Sequence, residues 1–187
     1  MNPLSPDLVA SRIAQRPGKR QPARGRAASV LVPLFERDGA TRIVFIKRTE
    51  TMRTHKGQYA FPGGGRDAAD RSLESTALRE ANEEIGLDPA RVRVLGTLDD
   101  LVTISGFVVT PVVGWIDSLP TLTPNATEVQ YVIDLPLASF IDPPRARTLL
   151  WEGIRRIVLA FDVEGHFIWG VTASILRGFV ATLDATT

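Results

Sequence analysis

From residue 28 onward this chain is built of short apolar blocks cut by Gly, Pro, Asn and Asp, a pattern that reads as strands. Blocks at 28–35, 42–47, 58–61, 92–98, 107–115 and 128–133 are each of strand length. Asp38-Gly39 lies between the first two and is a hairpin-turn pair. A second hairpin is expected from 149–151 and 157–161. Helical spacing is confined to a few stretches. Residues 5–15 put Leu8, Val9 and Ile13 on one face, and residues 170–183 do the same with Val171, Ile175, Leu176 and Phe179. Residues 136–140 read as a short helix. Strands thus outnumber helices in a mixed order, which predicts an α/β or α+β fold around a mixed sheet.

The remaining helical stretch is the most informative. Ser72 suits an N-cap and Gly86 the left-handed position past a helix end, and a Gly63-Gly64-Gly65 loop precedes them. At about 100° per residue, Ala77, Leu78, Ala81 and Ile85 form an apolar stripe, and Glu80, Glu83 and Glu84 form an adjoining acidic one. Like charges at these spacings repel. Arg79 stands four residues before Glu83 and can pair with it, which leaves Glu80 and Glu84 with no cation expected from the same helix. A hard divalent ion, Mg²⁺ or Mn²⁺, takes oxygen ligands of this kind. An isolated Glu-Glu pair is usually just a solvated helix face. The string Arg-Glu-Ala-Asn-Glu-Glu-Ile-Gly-Leu at 79–87, behind three glycines, is far more specific. The glycines permit unusual backbone conformations and close approach to a ligand.

Charge and composition narrow the rest. The chain has 187 residues, a net charge of +1 and no Cys, so thiol catalysis, thiolate metal sites and disulfides are excluded. No apolar run has the length of a membrane span and no signal core opens the chain, which predicts a cytoplasmic protein without membrane partners. Residues 1–27 hold five Arg and one Lys against one Asp, and 16–26 read as an extended arm. That segment has no aromatic residue for base stacking, so a nucleic-acid partner is disfavoured and a solvated lead-in preferred. The expected division is a lead-in over 1–27 and one domain over 28–187.

Residues 79–87 match throughout the end of the box of the Nudix hydrolases, Arg-Glu-(apolar)-x-Glu-Glu-x-Gly-(apolar), and the chain resembles that superfamily. Strict box spacing from Gly65 meets Arg71 where the box has Glu, while a one-residue longer spacing pairs Gly64 with Asp70. Upstream, Arg48-Thr49 followed by His55-Lys56-Gly57-Gln58 and Phe61-Pro62-Gly63-Gly64 is similar to the signature of the coenzyme A pyrophosphatase branch. Asp67, Asp70 and Thr76-Ala77-Leu78 also suit that branch, which usually has Lys where Gly65 stands.

The resemblance implies a Nudix fold, with a mixed β-sheet sandwiched between helices. It implies Mg²⁺- or Mn²⁺-dependent hydrolysis of coenzyme A or its derivatives to 3′,5′-ADP and 4′-phosphopantetheine. Glu80, Glu84 and Glu83 are then the metal-ligand candidates, and Arg79 holds an acid in place. Glu128, ahead of Pro136-Leu137, is a candidate to orient water or hold a further metal. Arg48, Arg53 and Lys56 are candidates for the substrate's phosphates, and His55, Gly63 and Gly64 for further substrate contacts. The substrate is a small nucleotide, and a homodimer stays open. The alternatives are another nucleoside diphosphate derivative (ADP-ribose, NADH or a dNTP) and a non-catalytic nucleotide-sensing module.

Overall fold

A computed structural model describes residues 4–22, 25–50, 56–151 and 154–184. Arg53 and His55 lie outside them. The chain runs α1 (Pro6–Gln15), β1 (Arg26–Arg37), β2 (Ala40–Arg48), β3 (Tyr59–Ala60), β4 (Gly63–Gly65), α2 (Leu73–Ile85), β5 (Arg93–Thr97), β6 (Leu101–Val102), β7 (Phe107–Trp115), β8 (Val129–Pro136), β9 (Arg145–Trp151), β10 (Ile154–Val163), β11 (His166–Trp169) and α3 (Gly170–Asp184). Short 3₁₀ turns at Pro89–Arg91 and Leu137–Phe140 complete it.

The main sheet has the path β3-β2-β1-β7-β5, with β8 also on β2, β4 on β1 and β6 on β7. β1 and β7 are parallel and the other pairings antiparallel, so the sheet is mixed. The alternation of strand side chains decides what packs where. On β1, Leu31 and Phe35 face one layer and Val32 and Leu34 the other; on β2, Val44 and Ile46 oppose Ile43 and Phe45. The first set packs on Ala77, Ala81 and Ile85 of α2. The second packs on Val9 and Ile13 of α1 and on Ile175, Leu176 and Phe179 of α3. The sheet is therefore sandwiched between α2 and the α1/α3 layer, as the resemblance implies. The fully buried Ile85 alone stabilises this contact by roughly 1.5–3 kcal/mol.

Several local expectations need correction. Leu8 is 42% exposed instead of inward; the α1 side chains buried in the core are Val9 and Ile13, with Ala10 packed against them. Gly63–Gly65 is a short strand, not a loop, paired antiparallel with Ala28–Val30. None of its glycines has a left-handed φ, so close approach and not backbone freedom explains Gly63 and Gly64. The second hairpin is longer than its apolar residues suggest, and β11 extends it to a three-stranded antiparallel sheet. The arm after α1 is extended but tied down. Arg20 reaches the buried Asp100 at 2.5 Å, and Gln21 N–H donates to the same carboxylate at 2.8 Å.

Candidate active site

The acidic helix is set by its ends and its apolar stripe. Ser72 accepts from Ser75 N–H and the Ser75 hydroxyl accepts from Ser72 N–H, a reciprocal cap worth about 1 kcal/mol. Gly86 closes the helix with φ of 67°. With Ala77, Ala81 and Ile85 on the sheet, the three glutamates fan across the adjoining edge. Their side chains are graded in exposure: Glu84 3%, Glu80 17% and Glu83 55%.

Strand β4 runs along this edge and explains its glycines. Gly63 donates its N–H to Glu84 Oε2 at 2.9 Å. A Cβ on Gly63 would sit 2.6 Å from Val30 Cα, so the strand could not lie this close to β1. A Cβ on Gly64 would sit 2.5 Å from the Glu80 carboxyl carbon. Both glycines expected at the site are thus in contact with its acids.

Each acid is also held by an arginine. Arg48 Nη1 donates to Glu84 Oε1 at 3.3 Å. Arg79 Nη1 donates to Glu83 Oε2 at 2.8 Å, as the sequence spacing predicts. Arg79 Nη2 also reaches Glu80 Oε1 at 3.0 Å, so the expectation that Glu80 lacks a cation within its helix is corrected. The same guanidinium is fixed from behind by Asp70, whose two oxygens accept from Nε and Nη2 at 3.1 Å each. Asp70 is buried, and the hydrogen bonds from Arg79, with that from the Asp67 N–H, hold its carboxyl well below the usual range. Asp70 stands at the place of the box's first carboxylate only under the one-residue longer spacing; strict spacing meets Arg71 there. The partner of Asp70 is nine residues on in the chain, and only the fold brings the two together.

Glu128 sits in the turn before β8, which starts at Val129, one residue later than expected. Its carbonyl accepts from Thr49 N–H at 3.0 Å, and its carboxylate lies close enough to act electrostatically on both Glu80 and Glu84. Burial pushes Glu84 up to about 7, opposed by the Gly63 N–H and Arg48 and reinforced by repulsion from Glu80 and Glu128. Burial also raises Glu80, against its hydrogen bond from Arg79.

Among the described residues, no three acidic or histidine side chains are already gathered into a metal cage. The donor set nonetheless fits a hard divalent ion. Glu80, Glu84 and Glu128 supply only carboxylate oxygens, they repel one another, and two of them are largely desolvated. A cation between them would relieve that repulsion. Glu83 points outward toward Arg79 and stands apart in exposure. Of the expected substrate contacts, Arg48 is at the acids and Lys56 is exposed on the turn before β3.

The sequence pattern of the NUDIX domain matches residues 25–134. A protein of Pectobacterium atrosepticum described as uncharacterized Nudix hydrolase NudL is 40% identical over 164 residues, covering 86% of this chain and 84% of its own. One of the same description from Yersinia pestis (strain Pestoides F) is 41% identical over 157 residues, covering 83% and 78%. Among solved structures, a NUDIX hydrolase from Alicyclobacillus acidocaldarius superposes with a TM-score of 0.58 at 19% identity, over 86% of this chain and 93% of its own. A MutT/nudix family protein from Enterococcus faecalis gives 0.57 at 16%, over 97% and 70%. Both structures share the fold.

Proposed function

The chain belongs to the Nudix hydrolase family, and from that premise we propose that it cleaves the diphosphate bond of coenzyme A or a coenzyme A derivative. The products are 3′,5′-ADP and 4′-phosphopantetheine. The observation that carries the reading is the convergence of Glu80 and Glu84 on the glycine strand, with the Glu128 carboxylate near enough to act on both, a place where phosphate oxygens and a cation can meet. The substrate class rests on the likeness of the Arg48–Gly64 stretch to the coenzyme A branch.

A water oxygen forms a bond to one phosphorus while the bridging P–O bond breaks, and its electron pair leaves on the departing phosphate. The water's proton passes to a carboxylate, a role we give to Glu128. Mg²⁺ or Mn²⁺ would be held chiefly by Glu80 and Glu84, with the more exposed Glu83 as the outer candidate, and would supply neutralisation of charge on the phosphate oxygens. Arg79, anchored by Asp70, steadies Glu80 and Glu83, and Arg48 and the Gly63 N–H steady Glu84. This fixed geometry places charge and water before reaction, which is most of what catalysis of this step requires. Arg48, Arg53 and Lys56 contact the substrate's phosphates, and His55 and the Gly63-Gly64 backbone make further contacts with the substrate.

The test is a panel of coenzyme A, ADP-ribose, NADH and dNTPs, with products identified by mass spectrometry. Coenzyme A is expected to be cleaved with the highest kcat/KM. A preference of more than about tenfold for another member, 1.4 kcal/mol in transition-state binding, would transfer the activity to that substrate.

A further inference from the structure

The last carbonyls of a helix find no partner within it. At the end of α2 the segment before β8 supplies two donors. Thr123 N–H donates to Ile85 O at 2.9 Å, and Asn125 N–H donates to Glu84 O at 2.8 Å. The backbone of Glu84, a proposed metal ligand, is thus bonded directly to Asn125. The same residue holds the start of Glu128: Asn125 O accepts from Glu128 N–H at 3.0 Å and from Val129 N–H at 2.8 Å. One residue therefore joins two acids that lie 44 positions apart in the chain.

The Asn125 side chain shapes the turn between them. Its Oδ1 accepts from Thr127 N–H at 3.2 Å and from the Thr127 hydroxyl at 2.8 Å. An Asn that bonds the backbone two residues on fixes the bend of the chain locally. Strand β2 holds the turn from the other side. Thr49 N–H donates to Glu128 O at 3.0 Å, and the Thr49 hydroxyl donates to Thr127 O at 3.3 Å. The buried Val129 then enters β8 opposite Arg48. Held in this way, the Glu128 carboxylate acts on both Glu80 and Glu84. Asn suits the position better than Asp. It offers the same acceptor without adding a charge at the negative end of α2, beside two acids.

We propose that Asn125 is a positioning residue for Glu128, and that its side chain sets where the proton-accepting carboxylate stands relative to Glu84. The inference rests on the reading that Glu128 takes the proton of the attacking water. Asn125 is given no contact with substrate and acts only through Glu128. Misplacing a reacting group by about 1 Å costs on the order of 10²-fold in rate, so a bend fixed by one amide oxygen is enough to matter.

A double-mutant cycle tests this, with hydrolysis measured on whichever diphosphate of the panel the wild type cleaves fastest. Asn125→Ala removes the Oδ1 acceptor and leaves the three backbone bonds of residue 125, so the melting temperature is expected to stay near that of the wild type. Its kcat is expected to fall about ten- to a hundredfold with KM unchanged. Asn125→Asp keeps the acceptor and is expected to recover most of that loss despite its added charge. Glu128→Gln is expected to lose about 10²- to 10⁴-fold, the scale of a missing general base. In the Glu128→Gln background, Asn125→Ala is expected to cost no more than about twofold, because no proton acceptor is left to position. Amide exchange at Thr127, read by nuclear magnetic resonance in the metal-free protein, is expected to quicken in Asn125→Ala and to slow again in Asn125→Asp.

A wild-type kcat in Asn125→Ala, beside an impaired Glu128→Gln, overturns the inference and leaves the role of Glu128 standing. Equal losses from Asn125→Ala in both backgrounds also overturn it, since Asn125 would then act on the fold and not through Glu128. So does an Asn125→Asp variant as impaired as Asn125→Ala, or an unchanged exchange rate at Thr127. Full turnover by Glu128→Gln would remove Glu128 as proton acceptor, and the positioning role would fall with it. The two failures are told apart by which single variant keeps its activity.

Discussion

Asp70 grips Arg79 with both carboxylate oxygens, at 3.1 Å to Nε and 3.1 Å to Nη2, and Arg79 in turn touches Glu80 and Glu83. An acid that matches the box only at a one-residue longer spacing is thereby connected to two proposed metal ligands through a single guanidinium. Asp70→Asn keeps the shape but gives up the charge and one acceptor. Its amide would face Arg79 donor to donor. Metal affinity or kcat is expected to fall about 10- to 100-fold, as for groups that orient metal ligands. Titration of Mn²⁺ by electron paramagnetic resonance checks the affinity directly. Unchanged Mn²⁺ binding together with unchanged kcat would remove Asp70 from any positioning role.

Activity is expected to disappear in EDTA and to return with Mg²⁺ or Mn²⁺. Clustered carboxylates repel a phosphoryl group whose charge is building, so unaided they would slow the reaction. Full turnover in chelator, with every buffer stripped of divalent ions, would end the metal-dependent reading.

Much of this was visible in the sequence, and the parts that were not share a cause. The α2 boundaries, Ser72 and Gly86, and its apolar stripe follow from local chemistry, and the structure reproduces them. The Asp38-Gly39 turn is also local: both residues take positive φ, 54° and 73°. Local chemistry marks Gly63–Gly65 as a loop because glycine has no strand preference, and the strand pairing is imposed by the edge of β1. The long β9/β10 hairpin carries Arg145, Arg147, Arg155 and Arg156 on exposed positions, so apolar alternation marks only part of it. At the site, the acidic stripe and the Arg79–Glu83 pair were legible from helical spacing. The Gly63–Glu84 hydrogen bond and the Arg48–Glu84 pair span 21 and 36 residues, and no local pattern encodes them.

Gly64 offers a steric test of the glycine strand. A methyl group there would lie 2.5 Å from the Glu80 carboxyl carbon, so Glu80 must turn away in Gly64→Ala. The Glu80 side chain is a flexible one, and the fold is expected to survive with a near-unchanged melting temperature. Its carboxylate leaves the position facing Glu84 and Glu128, and kcat is expected to drop about 10²-fold, the scale of losing one preorganised group. A variant with wild-type kcat would show that the approach of Gly64 to Glu80 has no part in the reaction.

The last expectation concerns Glu84 in the metal-free protein. Burial raises its pKa from 4.5 to about 7, so the folded state holds this proton more tightly than the unfolded chain does. Between those values the folded state carries the extra proton, and stability therefore falls as pH rises. The contribution is fully present below about pH 4.5, declines up to about pH 7 and is flat above, a total on the order of 3 kcal/mol. Asp70 works in the opposite sense, but its window lies below the ordinary carboxylate range and does not overlap. Glu84→Gln cannot ionise, so subtracting its melting curve from that of the wild type leaves the titration of Glu84 together with its coupling to Glu80. In EDTA the difference is expected to change by several degrees between pH 5 and pH 8, with the wild type losing ground as pH rises. Saturating Mg²⁺ should flatten it, because a cation at this carboxylate favours the ionised form. The same variant should lose at least about 10²-fold in kcat. A difference that is independent of pH in EDTA would mean that Glu84 is ionised without cost. The acidic edge would then have no repulsion for a metal ion to relieve at this position.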